Sequence, residues 1–313
     1  MTMRNNPLVS ILIPSYNRAD FLGFAIDSAL AQTYQNIEII VHDDASTDKT
    51  PDLLKKYKRI ERVRVITTKT NHGMIGGWNY LVRFAKGEYL KFLASDDLLD
   101  PECIAVLVEA AQKNMGCALI TCKRRFVNNK NEVITTLGFS TRSLVTSGPK
   151  LAHQILTDLR INKIGEPSAV LYPSSLIKKA GDYDSQFSQF ADFEYWLRLL
   201  QFGDLVYVNR PLCSFRLHDS SNTSRSIRDG RFVDEIFLLI DKYYSSLLYR
   251  QAFHLTKADQ ARVTRQKTLD TLKNIKDLFL HGHVTQARNY FRRLSSHVHL
   301  DYMTRLTLSH ILK

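Results

Sequence analysis

Residues 9–18 read Val-Ser-Ile-Leu-Ile-Pro-Ser-Tyr-Asn-Arg, and residues 39–48 read Ile-Ile-Val-His-Asp-Asp-Ala-Ser-Thr-Asp. Each stretch begins with an apolar run and ends in polar residues. An uninterrupted apolar run is typical of a strand in a parallel sheet that helices cover on both faces. Because segments of helical periodicity follow both stretches, the sequence predicts repeated βαβ units.

The same alternation continues through the first 120 residues and predicts a regular series of elements. Strands are expected at 8–13, 37–42, 63–67 and 89–94, and helices near 18–32, 48–58, 74–86 and 101–113. Residues 117–137, 166–173 and 205–215 predict further strands, with a helix near 191–202. We therefore expect an α/β fold of Rossmann-like type, with a mostly parallel sheet and helices on both faces.

The C-terminal region differs from this body in both periodicity and charge. From Arg228 onward the pattern is helical, and helices at about 257–280 and 284–297 are separated by His281-Gly282-His283. Residues 225–313 contain 16 basic and 8 acidic side chains, which supply most of the net charge of +12. We expect an N-terminal half at 1–123, a second half of the same domain at 124–224, and a basic helical region at 225–313.

Composition narrows the class of protein. With 44% hydrophobic and 24% charged residues, the chain has the composition of a globular protein. The longest stretches without Lys, Arg, Asp or Glu, residues 5–17 and 70–82, are shorter than the roughly 20 residues that span a bilayer. With no signal-peptide pattern at the N-terminus, we expect a cytoplasmic protein. The four cysteines form no CxxC pair and are expected to be free thiols.

The basic C-terminal region suggests a charged partner. A basic tail on a nearly neutral body favours an anionic membrane surface or a charged polymer over nucleic acid. A peripheral position at the inner face of the membrane is therefore one expectation. The face expected to meet the membrane interleaves basic with apolar residues, namely Arg288, Arg292, Arg293 and Arg305 with Tyr290, Phe291, Leu294, Tyr302 and Leu306. The alternative is an ordinary solvated face that packs on the body or on another subunit.

Acidic residues follow two of the predicted strands where these strands end. Asp43 and Asp44 come after the second strand, and Asp96 and Asp97 come after the fourth. Carboxyl ends of parallel strands meet at one edge of the sheet, so four carboxylates would gather there. Such crowding raises their pKa values unless a cation compensates, and oxygen ligands select Mg²⁺ or Mn²⁺. These ions usually share their coordination with substrate phosphates, so the sequence predicts a phosphate-bearing substrate.

Helix capping is the alternative explanation for some of these acids. Asp48 and Asp100 precede predicted helices, and Asp100 is followed by Pro101, so we expect both to be N-caps. Capping does not explain Asp43, Asp96 or Asp97. Neither GxGxxG nor GxxxxGK[ST] is present, so no glycine-rich cradle of either kind is expected to hold the phosphate.

Four blocks of the chain resemble the family-2 inverting glycosyltransferases of the GT-A fold. The blocks are residues 9–18, 39–48, 87–97 and 191–199, and the resemblance extends over about residues 7–220. It implies a donor of the nucleotide-sugar type, most simply a UDP-sugar, and transfer with inversion to a hydroxyl group. The acceptor would be a saccharide or a lipid-linked sugar, in surface polysaccharide or glycolipid synthesis.

The resemblance also implies roles for individual residues at the nucleotide and the metal. Asp97 would coordinate Mn²⁺ or Mg²⁺ in a DXD-like motif, and His218 would contact the metal or the diphosphate. Ala94 stands where the family often has Asp or Asn, which removes one polar contact but leaves the Asp pair. The residues expected to border the nucleotide are Pro14, Tyr16, Arg18, Asp43 and Asp96.

On the acceptor side the resemblance implies a catalytic carboxylate. Asp192 matches the family's general base, which would deprotonate the attacking hydroxyl. Glu194 is a rival two residues later, and Asp192 could instead be a helix N-terminal charge. Glu166 and Trp196 are expected to line the acceptor side.

Two other classes of protein remain as alternatives. A non-catalytic scaffold that binds nucleotide sugars could keep the same fold, although intact Asp97 and Asp192 argue against it. A nucleotidyltransferase usually has a glycine-rich loop with Arg or Lys after the first strand, and residues 15–20 contain no such loop.

Overall fold

The computed structural model describes residues 6–159, 164–218, 226, 228–299 and 303. These residues form two compact units. The first consists of those within Met1–Gly148, Asn162–Ser185 and Ala191–Leu217, and the second of those within Pro149–Ile161, Gln186–Phe190 and His218–Lys313. The boundary expected between 224 and 225 lies outside the described residues.

The first unit begins with the predicted βαβ series. Its first seven elements agree with the predictions to within a few residues at each end, because strong periodicity and polar strand ends mark them locally. They are β1 (Val9–Ser15), α1 (Ala19–Leu30), β2 (Ile37–Asp43), α2 (Thr50–Tyr57), β3 (Val63–Thr67), α3 (Gly73–Val82) and β4 (Tyr89–Phe92).

The remainder of the first unit mixes strands and helices, as expected. The segment predicted as a strand from residue 166 begins with a 3-10 turn at Pro167–Ala169. The elements are β5 (Leu98–Leu99), α4 (Cys103–Lys113), β6 (Cys117–Val127), β7 (Val133–Leu137), β8 (Leu144–Thr146), β9 (Val170–Pro173), α6 (Ile177–Ala180), α7 (Ala191–Leu199) and β10 (Asp204–Arg216); a helix α5 (Gly148–Asp158) lies between β8 and β9 in sequence.

One sheet organises the first unit, with the strand order β3-β2-β1-β4-β9-β6-β10-β5. The ladders β1–β2, β2–β3, β1–β4 and β6–β10 are parallel and contain most of the paired residues, whereas β9 is antiparallel to both of its neighbours. The chain runs outward from β1 to β3 and returns to β4 on the other side of β1. In open sheets of this kind, ligands bind at such a reversal, beyond the carboxyl ends of the strands.

The core explains why these strands are continuous apolar runs. Ile11 and Ile13 of β1 and Ile26 of α1 are fully buried in one cluster, together with Ile104 and Leu107 of α4. Full burial of such a side chain stabilises the fold by about 1.5–3 kcal/mol. All four cysteines are buried free thiols, as predicted. The α/β class with a mostly parallel sheet is confirmed.

The second unit is helical. Within it are most of α5, then α8 (Arg231–Ser245), α9 (Leu247–Ala252), α10 (Lys257–Leu280) and α11 (Val284–His297). The predicted break falls at Gly282, whose φ of +80° is in the left-handed region that favours glycine. In the described part of the chain, no helix combines the length and apolar character needed to cross a bilayer.

A close backbone approach at Gly87 gives a test of the packing between β1 and β4. A Cβ at this position would lie 2.5 Å from the Ser10 nitrogen and 2.8 Å from the Tyr89 carbonyl oxygen. We expect Gly87→Ala to lower the free energy of unfolding by about 1–3 kcal/mol in urea titration, because backbone would have to move.

Gly23→Ala is the matched control. Its Cβ would lie 3.4 Å from the Tyr57 hydroxyl, an ordinary contact, inside helix α1. Alanine is the better residue in a helix interior by about 0.5–1 kcal/mol. Equal stabilities for the two variants would contradict the close approach at Gly87.

Candidate functional site

The loops after β1 and β2 are joined by hydrogen bonds around Asn17. Asn17 has a φ of 52°. Its backbone nitrogen donates to Ser46 Oγ at 2.8 Å, and its side-chain Oδ1 accepts from the Thr47 nitrogen at 2.8 Å. The Arg18 nitrogen donates to Thr50 Oγ1 at 3.1 Å. These contacts fix both loops at the carboxyl edge of the sheet.

The residues expected to border the nucleotide lie at this edge. Pro14 is near the end of β1, and Asp43 ends β2 and is buried. Tyr16 is 46% exposed, so its ring face is open to a ligand. Arg18 Nε lies 3.7 Å from Asp96 Oδ2, which connects the β1 loop to the end of β4. The structure thus brings the five residues together, and their roles remain predictions.

The two aspartates expected to cap helices behave differently. Asp48 Oδ1 accepts from the nitrogen of Thr50, the first residue of α2, at 2.8 Å, although the N-cap position is Lys49 and not Asp48. Asp100 instead forms a two-point ion pair with Arg125, at 2.7 and 3.0 Å. The prediction of a side-chain cap at Asp100 is wrong, because an arginine from β6 takes both carboxylate oxygens.

Asp97 is buried and anchors its loop by hydrogen bonds to two other segments of the chain. Its side chain accepts from Ser168 Oγ at 2.6 Å and from the Arg216 nitrogen at 3.0 Å, and the residue is only 1% exposed. Burial and, to a smaller extent, the negative charge of Asp96 raise the pKa of Asp97 well above its usual range. As placed, Asp97 offers almost no surface to a metal ion. Asp96, whose side chain is 19% exposed, is the accessible member of the pair.

Arg216 holds the same segment from the end of β10. Its Nε donates to the Asp96 carbonyl oxygen at 2.9 Å, its Nη1 to the Asn128 carbonyl oxygen at 2.9 Å, and its Nη2 to Asn131 Oδ1 at 2.6 Å. His218, two residues later, is half-buried and belongs to the second unit. Its expected contact with a metal or diphosphate remains a prediction.

Asp192 lies at the start of α7, and its pKa is raised. Its Oδ1 accepts from the Phe193 nitrogen at 2.7 Å. Desolvation, with a smaller contribution from the negative charge of Glu166, raises the pKa of Asp192 to about 7. Glu166 forms an ion pair with Arg124. Glu166 also raises the pKa of Asp97, so Glu166 lies within electrostatic reach of both Asp192 and Asp97.

The neighbouring residues of α7 have structural contacts. Glu194 is fully buried and accepts from Arg198 Nε at 2.9 Å and Nη2 at 2.8 Å, so its carboxylate is already paired. Trp196 is 0% exposed, and its indole nitrogen donates to the Gly165 carbonyl oxygen at 3.0 Å. The expectation that Trp196 lines the acceptor side must be corrected, because its fully buried ring has no surface open to an acceptor. The ring instead binds Gly165, the residue before Glu166, from inside the protein.

The sequence analysis missed several residues of this site. Ser168 and Arg124 contact the predicted carboxylates, yet neither lies in a recognisable motif. A cluster of His42, Asp44 and His72 was also missed, although a histidine inside the apolar run of β2 was a signal. His42 is fully buried, and desolvation lowers its pKa.

Comparison with known sequences identifies relatives of this chain. The family model described as Glycosyl transferase family 2 matches residues 10–165. An uncharacterized glycosyltransferase of Rickettsia typhi is 31% identical over 227 residues, which cover 71% of this chain and 68% of that protein. A chondroitin synthase of Escherichia coli is 28% identical over 228 residues, but the match covers only 31% of its length.

Solved structures share the fold at low sequence identity. Staphylococcus aureus TarS 1–349 in complex with UDP-GlcNAc is 16% identical with a TM-score of 0.61, over 92% of this chain and 90% of that chain. The mannosyltransferase PcManGT from Pyrobaculum calidifontis, in complex with GDP-Man and Mn²⁺, is 16% identical with a TM-score of 0.59. That match covers 99% of this chain and 81% of the other.

The raised pKa of Asp192 predicts a stability difference that depends on pH. In the unfolded chain an aspartate titrates near pH 4, whereas in the fold Asp192 titrates near 7. Ionisation therefore costs the folded state stability as the pH rises between these values. Asp192→Asn carries no such charge, so its melting temperature should rise relative to that of the unmodified protein between pH 4 and pH 8.

Asp204→Asn makes the same chemical change at an exposed position where β10 begins. This control shows how the melting temperature responds to the same chemical change at an exposed position. The same dependence on pH in Asp192→Asn as in Asp204→Asn would contradict a raised pKa of Asp192.

Proposed function

We propose that this chain, which belongs to glycosyl transferase family 2, transfers a sugar from a nucleotide-sugar donor to a hydroxyl group in a metal-dependent, inverting reaction. The observation that carries this proposal is the position of Asp192. Its carboxyl group, with a pKa of about 7, lies within electrostatic reach of Glu166, which in turn acts on Asp97 beside the predicted nucleotide site.

Asp192 is proposed to be the general base. A carboxylate with a pKa near 7 is a stronger base than an ordinary aspartate, yet about half of it is ionised at pH 7. It can therefore accept the proton of an attacking hydroxyl. A single displacement that needs one base and no covalent nucleophile inverts the sugar carbon. Glu194, which is paired with Arg198, is not needed for this step.

The donor is proposed to bind at the joined loops after β1 and β2. The exposed ring of Tyr16 can stack on a base, and Asp43 can accept a hydrogen bond from it. Arg18 lies beside Asp96, where its positive charge suits a diphosphate. The solved complexes of TarS with UDP-GlcNAc and of PcManGT with GDP-Man support a nucleoside diphosphate donor. We propose a UDP-sugar.

For the metal we propose a different ligand from the one that the resemblance implies. Asp96 is accessible and next to Arg18, whereas Asp97 is buried with protein donors on both oxygens. A bound Mn²⁺ or Mg²⁺ would neutralise charge on the leaving diphosphate. Asp96 would therefore hold the metal, while Asp97 fixes the backbone of Asp96. His218 remains a proposed additional contact, and Mn²⁺ in the PcManGT complex supports the choice of ion.

The acceptor is proposed to be a saccharide or a lipid-linked sugar, as in the synthesis of surface polysaccharides or glycolipids. Glu166 is proposed to line this side, because its side chain is 25% exposed beside Asp192. The similarity to a chondroitin synthase supports a polysaccharide setting, although the chain matches only part of that protein. A non-catalytic scaffold with the same fold is the alternative, and the kinetic experiment distinguishes the two.

A membrane surface is proposed for the turn between α10 and α11. Phe279 and Leu280 are 63% and 68% exposed, and Val284 is 44% exposed. The exposed Lys276 precedes these three residues in sequence, and the exposed Arg288 follows them. Apolar residues flanked by basic ones suit the interface of an anionic bilayer. This would place a cytoplasmic enzyme peripherally at the inner face of the membrane.

The surface differs in part from the one that the sequence suggested. Tyr290 and Leu294 were expected to interleave with arginines on an exposed face, but both are buried between helices. Tyr302, Arg305 and Leu306 lie outside the described residues. The apolar residues at the turn therefore carry the membrane proposal.

The catalytic proposal predicts a specific loss in Asp192→Asn. With a panel of UDP- and GDP-sugars and Mn²⁺, release of nucleoside diphosphate should have a kcat about 10²–10⁴ times lower than that of the unmodified enzyme, because the base is lost. Nucleotide affinity, measured by calorimetry, should stay within a few-fold. For the unmodified enzyme, kcat/KM should rise with pH and level off above about 7.

The control variant Asp204→Asn should retain full activity. In the unmodified enzyme, chelation of the metal should abolish activity. Full activity of Asp192→Asn would refute the assignment of the base. A protein that binds nucleotide sugars but turns over none of them, with Mn²⁺ and with every acceptor class supplied, would favour the scaffold.

The membrane proposal predicts sedimentation with anionic vesicles. Replacing Phe279 and Leu280 together by serine should reduce the fraction bound to phosphatidylserine-containing vesicles several-fold, because the apolar anchor is removed. Leu247 and Leu248, each 64% exposed in α9, provide the control pair, whose replacement by serine should leave binding unchanged. Equal binding to vesicles with and without anionic lipid would argue against the proposal.

A further inference from the structure

His42, Asp44 and His72 form a cluster that the proposed transfer reaction does not use. His42 lies in β2, Asp44 follows that strand, and His72 immediately precedes α3. One donor atom from each residue lies within 4.8 Å of the other two. His72 Nδ1 is 3.2 Å from Asp44 Oδ1, and His42 Nε2 is 3.8 Å from the same oxygen.

These separations suit a four-coordinate metal ion. Zinc binds histidine nitrogen and carboxylate oxygen at about 2.0–2.2 Å in tetrahedral geometry, which puts neighbouring donor atoms roughly 3.4 Å apart. The observed distances of 3.2 and 3.8 Å lie on either side of that value. Two imidazoles and one carboxylate favour zinc and its neighbours in the transition series over Mg²⁺ or Ca²⁺, which prefer all-oxygen ligand sets.

The three side chains are held in place by their surroundings. Asp44 accepts from the His72 nitrogen at 2.9 Å and from Thr68 Oγ1 at 3.2 Å, and it is only 5% exposed. The ring of Tyr80 packs against both imidazoles, with centroid distances of 5.2 and 5.3 Å. Donor atoms that are already oriented lose little freedom when an ion binds.

Helix capping alone does not account for the cluster. The hydrogen bond from the His72 nitrogen explains why a carboxylate stands at Asp44, since this nitrogen lies at the N-terminus of α3. It does not explain two imidazoles beside that carboxylate. His42 is 0% exposed, and Nε2, its nitrogen that faces Asp44, has among the described residues one further polar contact, to Thr68 Oγ1 at 3.4 Å, which is long for a hydrogen bond.

We propose that His42, Asp44 and His72 bind one Zn²⁺ ion, at a site separate from the metal that accompanies the diphosphate. The ion would tie the end of β2 to the start of α3, next to the loop that carries Asp43. This inference rests on the geometry of the cluster and not on the proposed function.

The test is a titration of the metal-free protein with Co²⁺ in the absence of nucleotide. We expect saturation at one equivalent per chain with the visible absorption of tetrahedral cobalt, and loss of that absorption when Zn²⁺ is added. His72→Gln should weaken binding at least tenfold, because it removes a ligand that is 37% exposed and can be changed without disturbing the core. His283→Gln removes an exposed histidine of the second unit and should bind like the unmodified protein.

Asp96→Asn separates this site from the proposed diphosphate metal and should retain full cobalt binding. Three results would overturn the proposal. One is the absence of a saturable equivalent in the unmodified protein, which needs no variant to interpret. The others are equal affinity in His72→Gln and a loss in Asp96→Asn alone, each of which would place the bound cobalt elsewhere.

Discussion

The arrangement of the site depends on one buried carboxyl group. Asp97 accepts hydrogen bonds from the Ser168 hydroxyl and from the Arg216 backbone nitrogen, and so joins the end of β4, the turn before β9 and the end of β10. Burying a polar group costs free energy unless the group is hydrogen-bonded. Removing one of its partners leaves the full cost of desolvation. The accessible Asp96 and the ion-paired Glu166 take their positions from segments that meet at this group.

Around that anchor, the acidic residues have different environments and therefore different proton affinities. Glu166 is paired with Arg124, Asp97 is surrounded by protein, and Asp192 is left with a pKa of about 7. Carboxyl groups whose pKa values are pushed apart can divide the tasks of holding structure and moving a proton. The proposed division gives Asp97 the first task and Asp192 the second.

The sequence predicted the local features well and the long-range ones poorly. Strands such as β3 and helices such as α10 and α11 were predicted with the observed bounds, because periodicity and a glycine at the turn mark them locally. The contact between Asp97 and Arg216 joins residues 119 positions apart, and nothing in either segment indicates it. Trp196 and Asp100 were misjudged for the same reason, since their partners, Gly165 and Arg125, lie on other elements.

The hydrogen bonds around Asn17 lower the entropy cost of binding a ligand at the two loops. Loops that are already joined through Ser46 and Thr47 have little conformational entropy left to lose when a nucleotide arrives. Binding at this edge then uses a preformed site and requires only small changes in backbone order. Selectivity between nucleotides would follow from the fixed shape of the two loops and not from their rearrangement.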